Sequence, residues 1–206
     1  MYPSDGGRRN QKNKMTKFEK VSYKQYISDL GFDPREKQMS IFDEALEYVM
    51  RKEYDEIILP HRSTQCSAGY DFFAPYDVSI APGDSCTIYS GIRVIMPPDR
   101  FLAVYPRSGL GIKYRVTLAN STGIIDADYK DANNEGHIII KLVNDGTRTV
   151  DIRKGSAVAQ GIFQAYFLTD DDAAFGKRTG GLGSTDSSHA FRYDPDAHTF
   201  GDPHSK

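Results

Sequence analysis

From Asp55 onward the chain breaks into short apolar or alternating runs, each closed by turn chemistry, and this most narrows what it can fold into. Residues 57–60, 87–96, 101–105, 137–143 and 157–168 read as strands. Ala81-Pro82-Gly83-Asp84, Pro97-Pro98-Asp99 and Asn144-Asp145-Gly146 separate several of them, with residues that fix or free φ where the backbone reverses. No helical period intervenes, so the run predicts an all-β sandwich or barrel. A chain of 206 residues has room for one such domain, 56–168, and a smaller appendage.

Ahead of that domain the pattern changes. Residues 1–14 hold Gly6, Gly7, Arg8, Arg9, Lys12 and Lys14 with hardly an apolar group, and are expected to be a disordered basic tail. Residues 15–55 are expected to form a helical extension. Asp33-Pro34 offers an N-cap acceptor followed by a first-turn proline. Ile41, Phe42, Ala45, Leu46, Val49 and Met50 then form one stripe, opposite Glu44, Glu47, Arg51 and Lys52. Such a helix needs a surface to lean on, in the β domain or on a partner. Lys17, Lys20 and Lys24 continue the basic run and read as solvated chain, with a phosphate-seeking arm as the alternative. Beyond the β domain come a glycine-rich arm, 169–186, and a polar tail, 187–206.

Charge excludes one broad class: 26 Lys and Arg against 28 Asp and Glu, with a pI near 6.2, is not the balance of a protein that holds nucleic acid by bulk charge. No apolar run approaches the ~18 residues of a membrane span, and no secretory h-region opens the chain. Cys66 and Cys86 are too few for a disulfide scaffold or a four-ligand zinc site and read as two free thiols. The expectation is a cytoplasmic protein without membrane or direct nucleic-acid partners.

Five segments look out of place in a plain β domain. Pro106-Arg107-Ser108-Gly109-Leu110-Gly111 ends a strand with a cation, a hydroxyl and two glycines, suited to an anion or simply to a tight turn. Arg178-Thr179-Gly180-Gly181-Leu182-Gly183-Ser184-Thr185 repeats the recipe without matching a P-loop, and reads as a phosphate nest or a linker. Gly123-Ile124-Ile125-Asp126-Ala127-Asp128-Tyr129 puts two carboxylates at i and i+2. In an extended strand these share a face and could meet one metal or one water. Ala68-Gly69-Tyr70-Asp71 and Ala159-Gln160 each place a polar group in apolar surroundings, as a structural partner or a ligand.

In order and spacing these segments resemble the five motifs of the trimeric dUTP pyrophosphatase (dUTPase) family: Ala68–Ala74, Pro106–Leu110, Gly123–Tyr129 with Asn120 ahead of it, Gly155–Gln160 and Gly180–Thr185. The resemblance implies an all-β, jelly-roll-like subunit carrying the N-terminal helical extension, and a homotrimer with shared active sites. It implies Mg²⁺-assisted hydrolysis of dUTP to dUMP and pyrophosphate. Asp126 would activate the attacking water. Asn120, Gly123, Ile124 and Ile125 would read uracil, and Tyr129 would pack beneath the deoxyribose. Arg107, Ser108, Gly109 and Gln160 would hold phosphates, with Ser184, Thr185 and a cation of the arm over the γ-phosphate. Asp71 would touch the metal only through water.

Three departures accompany the likeness. Leu182 stands where the family's arm carries a base-stacking aromatic. Lys177 aligns with the arm's usual arginine while Arg178 lies one residue later, leaving both as candidates. The segment 130–135 lengthens the hairpin exit after Tyr129, where it would alter substrate access or make a partner surface. The alternatives are a dUTPase-fold regulatory protein that captures a partner through the N-terminal helix or that insertion, and dCTP deamination. The latter would need a glutamate at the pyrimidine ring.

Overall fold

The computed structural model describes residues 15–32, 41–176, 178 and 180, with the side chains of 41–43 excepted. The element order is β1 (Lys17–Lys20), α1 (Tyr23–Asp29), α2 (Ile41–Asp55), β2 (Tyr70–Phe73), β3 (Val78–Ile80), β4 (Ser85–Tyr89), β5 (Ile92–Ile95) and β6 (Arg100–Pro106). It continues with α3 (Ser108–Tyr114), β7 (Val116–Leu118), β8 (Gly123–Ile125), β9 (Ile139–Asn144), β10 (Val150–Ile152) and β11 (Ala157–Ala165). All strand pairs are antiparallel, in small sheets ordered β2-β11-β6-β8, β4-β9-β7, β1-β5 and β10-β3. Their inner faces meet in one core that includes Phe72, Ile88, Leu102, Val116, Leu142 and Val158, giving the all-β, jelly-roll-like fold. No described helix is long and apolar enough to cross a membrane, and Cys66 and Cys86 are free.

Several expectations are corrected. Lys17–Lys20 is neither a solvated segment nor an arm but a strand: it pairs with β5, and Phe18 packs on Tyr70, Phe72 and Phe163 at centroid distances of 5.4–5.7 Å. The lysines flank that aromatic anchor. Lys17 pairs with Glu19, and Lys20 donates to the carbonyls of Tyr54 and Asp55 at the end of α2, both at 2.9 Å. Residues 57–60 form no strand, and only the bridge that follows at His61 joins this stretch to a sheet. The run 87–96 is two strands, β4 and β5, split at Ser90-Gly91, where Gly91 has φ 70°.

The helix α2 presents a different face from the one its apolar stripe predicts. Leu46 and Val49 are exposed, whereas Met50 is buried and Glu53 and Tyr54 face α1. The surface it leans on is aromatic and polar: Tyr26 donates to Glu53 at 2.7 Å, Tyr54 donates to the Val21 carbonyl at 2.6 Å, and Arg51 lies over the Tyr23 ring. The Asp33-Pro34 start signal lies outside the described residues.

Candidate active site

The site residues fall into two groups, separated along β6. The first forms where β2, β11 and β6 lie side by side. Register places Asp71 opposite Gln160, and Gln160 opposite Tyr105. Asp71 is buried, yet both carboxylate oxygens are satisfied: Arg107, just past the end of β6, pairs with one, and Ser63 donates to the other at 2.7 Å. Gln160 donates to the Pro106 carbonyl at 3.2 Å. Gly69 makes this packing possible, since a Cβ there would stand 2.5 Å from Gln160 Oε1. Ser63 escaped the sequence reading; a serine eight residues before the acid carries no local signal.

Ser108 and Gly109 do not sit in an open loop. They begin α3, which runs from the N-cap Arg107 to a left-handed C-cap at Arg115, φ 58°. The glycines lower helix propensity, but the short link from β6 to β7 overrides it. Their N–H groups lie in the first turn, where no preceding helical carbonyl is available to accept from them.

The second group surrounds β8. Between β7 and β8 the chain reverses tightly: Ser121 N–H bonds Leu118 O at 3.0 Å, and Ser121 takes φ 60°. Beside this turn is a cavity of about 380 Å³ whose lining includes Val104, Leu118, Asn120, Gly123, Ile124, Ile125 and Ile138. Gly123 keeps it open, because a Cβ there would meet Val104 at 3.3 Å. β8 is the edge strand of its sheet. One row of its backbone groups bonds to β6, and the other row pairs with no described strand. The apolar lining from Val104, Leu118 and Ile138 was not singled out in the sequence, where it reads as ordinary core.

Asp126 follows directly on Ile125 and is half exposed. The chain is not extended there: Ala127 and Asp128 form a turn, closed by Tyr129 N–H on Asp126 O at 3.1 Å. The strand argument for a shared carboxylate face therefore fails. The two acids nevertheless converge, on a cation of the chain itself: Arg178 pairs with Asp126 and reaches Asp128 at 2.9 Å. Its guanidinium lies 5.6 Å from the centre of the Tyr129 ring. Tyr129 is buried, and burial pushes its phenol above the usual value, so at neutral pH the hydroxyl keeps its proton. Lys177, Leu182, Ser184 and Thr185 lie outside the described residues.

The insertion after Tyr129 turns back onto its own chain, where Glu135 binds Ser22 at the start of α1.

Residues 55–182, more than half the chain, match the dUTPase family. The chain belongs to the dUTPase family. It is 40% identical over 144 residues to deoxyuridine 5'-triphosphate nucleotidohydrolase of Lactococcus lactis, covering 68% of this chain and 96% of that protein. It is 38% identical over 136 residues to the Shigella sonnei protein of the same name, covering 62% and 87%. The solved dUTPase of Streptococcus mutans superposes with a TM-score of 0.52 at 36% identity, over 56% of this chain and 91% of that one.

Within this dUTPase fold the two groups stand apart along β6. Ile125 is level with Leu102, and Arg107 lies five residues further along β6. At about 3.3 Å per residue the two backbone positions lie roughly 16 Å apart along the strand.

Proposed function

We propose that this chain is a dUTP diphosphatase, hydrolysing dUTP to dUMP and pyrophosphate at sites built between neighbouring copies of a homotrimer. The observation that carries the reading is the division just described: a base-sized cavity with an adjacent carboxylate at one end of β6, and a cationic and amide cluster at the other. Each half is incomplete alone, and cyclic assembly brings one copy's half against its neighbour's.

In the cavity, Asn120 and the free edge of β8 from Gly123 to Ile125 read uracil as a paired strand would be read, through a fixed order of donors and acceptors. Cytosine exchanges donor and acceptor at positions 3 and 4 while keeping the O2 acceptor, and so leaves buried groups unpaired, which discriminates strongly. The tight turn between β7 and β8 leaves no room for the thymine methyl. Tyr129 lies beneath the deoxyribose. Asp126 takes the proton of a water whose oxygen bonds to the α-phosphorus, while the bridge to the β-phosphate breaks and pyrophosphate leaves. From the neighbouring copy Arg107, Ser108, Gly109 and Gln160 bind the phosphates and stabilise the charge that gathers on the leaving group. Arg178, paired with Asp126 and Asp128, must release them as substrate enters, and Lys177 or Arg178 with Ser184 and Thr185 then covers the γ-phosphate.

The donor set suits Mg²⁺ that arrives with the triphosphate. Among the described residues no group of three or more His, Cys, Asp or Glu side chains could ligate it directly. Asp71, with one partner on each oxygen, retains lone pairs for a metal-bound water. The ion would neutralise phosphate charge.

The test is pyrophosphate release in magnesium with dUTP, dTTP, dCTP and UTP compared under one set of conditions. Turnover of dUTP far above the other three is expected. Equal turnover, or none from a confirmed trimer, would overturn the reading.

A further inference from the structure

Helix α1 lies ahead of the residues matched to the family, and the insertion follows Tyr129. The structure fastens the two together. Glu135 takes the start of α1: its carboxylate accepts from the Ser22 N–H at 2.8 Å and the Ser22 hydroxyl at 2.7 Å, while Ser22 Oγ caps the helix by accepting from Gln25 N–H at 3.1 Å. His137 takes the other end. Its ring is fully buried, with Nδ1 2.6 Å from Asp29 Oδ2, and the other Asp29 oxygen accepts from Gln25 Nε2 at 2.9 Å.

The tautomer of His137 follows from geometry. Gly91 N–H points at Nε2 over 2.7 Å, and a backbone N–H can only donate. Nε2 therefore carries no proton, and Nδ1–H donates to Asp29.

The same segment holds the Tyr129 phenol. Its hydroxyl donates to the His137 carbonyl at 3.1 Å and accepts from Asn134 Nδ2 at 3.0 Å. The turn that makes this possible is strained for ordinary residues: Glu135 has φ 58° and Gly136 φ 75°, and a Cβ on Gly136 would lie 2.7 Å from Lys130 Cα. Both ends of α1 are thus bonded to the stretch that clamps Tyr129.

We propose that α1 is a positioning element for the nucleotide site. Asp29 and Glu135, acting through His137 and the turn that carries Asn134, fix the Tyr129 ring and thereby set how strictly a 2′-hydroxyl is excluded. This rests on the reading of Tyr129 as the wall beneath the deoxyribose. Neither Asp29 nor Glu135 touches substrate. A wall held from behind excludes one oxygen atom only while it cannot recede by a fraction of an ångström.

The test compares kcat/KM for dUTP and UTP in Asp29→Ala, Glu135→Ala, Asp29→Asn and Tyr129→Leu, each confirmed as a trimer by light scattering. Asp29→Ala and Glu135→Ala are expected to narrow the dUTP-over-UTP ratio about tenfold, chiefly by admitting UTP. Their kcat for dUTP should stay within about twofold of the parent. Asp29→Asn, whose amide oxygen still accepts from His137, should keep the ratio. A purely structural role would lower both substrates together and leave the ratio unchanged, and that result overturns the proposal. If Asp29→Ala does not assemble, Glu135→Ala decides, since it removes only exposed contacts and leaves the core intact. Tyr129→Leu separates the two levels. If it leaves the ratio untouched, the sugar-wall reading itself is wrong; if it alone relaxes the ratio, only the role of α1 falls.

Discussion

If the carboxylate and the phosphate cluster of one chain serve different nucleotides, two dead variants should rescue each other. Asp126→Asn removes the proton acceptor and leaves its fold partners in place. Arg107→Gln removes the phosphate cation but keeps a hydrogen-bond donor for Asp71, which is only 4% exposed and would otherwise be left with Ser63 alone. Breaking a buried ion pair outright can cost about 3–5 kcal/mol. The glutamine limits that loss, and Arg107 is itself about one-third exposed.

Each variant alone should be nearly inactive, because every site then lacks one half. Co-expressed in equal amounts and randomly assembled, a site is complete only when Asp126 comes from one kind of chain and Arg107 from the other. That holds for about a quarter of sites in a cyclic trimer. The control mixes wild-type chain with the double variant: composite sites again give about a quarter of full activity, whereas sites within single chains give about half. The assay is steady-state pyrophosphate release from tagged, purified heterotrimers. Recovery of nothing in the first mixture and half in the second would refute the shared-site reasoning drawn from β6.

Three further outcomes follow from particular contacts. Gly69→Ala sets a methyl 2.5 Å from Gln160 Oε1, forcing the amide aside, and should cost about 1–3 kcal/mol in thermal unfolding and raise KM for dUTP; an unchanged KM would separate Gln160 from phosphate binding. Burial holds His137 below the usual imidazole value of 6.5, even though Asp29 and Glu135 pull the other way. The unfolded chain therefore takes up a proton that the folded one refuses. The contribution is complete above pH 6.5 and is lost as pH falls from there toward the lower folded value; His137→Gln should flatten that limb of the stability–pH curve measured by denaturant unfolding. Leu182→Phe restores a stacking ring to the arm and should tighten dUTP by about 1–3 kcal/mol, read by calorimetry with a non-hydrolysable analogue.

What was legible in the sequence was whatever a few adjacent residues encode. Asn144-Asp145-Gly146 marks a reversal wherever it stands, and the segments around Asp71, Arg107 and Asp126 carry their chemistry in short strings. β1 was hidden because Phe18, its anchor, lies between lysines whose charges dominate the local composition. α3 was hidden because two glycines argue against any helix. The separation of the two halves of the site was hidden for a different reason: it depends on register, Ile125 against Leu102, and register appears only when strands are paired.

The fastening of α1 is the extreme case. Ser22 and Glu135 are 113 residues apart and Asp29 and His137 are 108 apart, so no window of sequence contains either pair. There is a physical reason that such an extension is held in this way. Tyr26 and Ile27 of this seven-residue helix join the same core as Phe72, Leu102 and Leu142, with Tyr23 and Leu30 packed beside them, and this apolar contact holds the helix as a whole. What holds the helix ends in place is then polar: a carboxylate at the positive end of α1, and an imidazole N–H on the acid at its negative end. Of these contacts, the exposed Ser22–Glu135 pair adds little to stability. Both contacts are directional, however, and fix orientation closely, which is the property a wall beneath a sugar ring requires and an apolar contact would not supply.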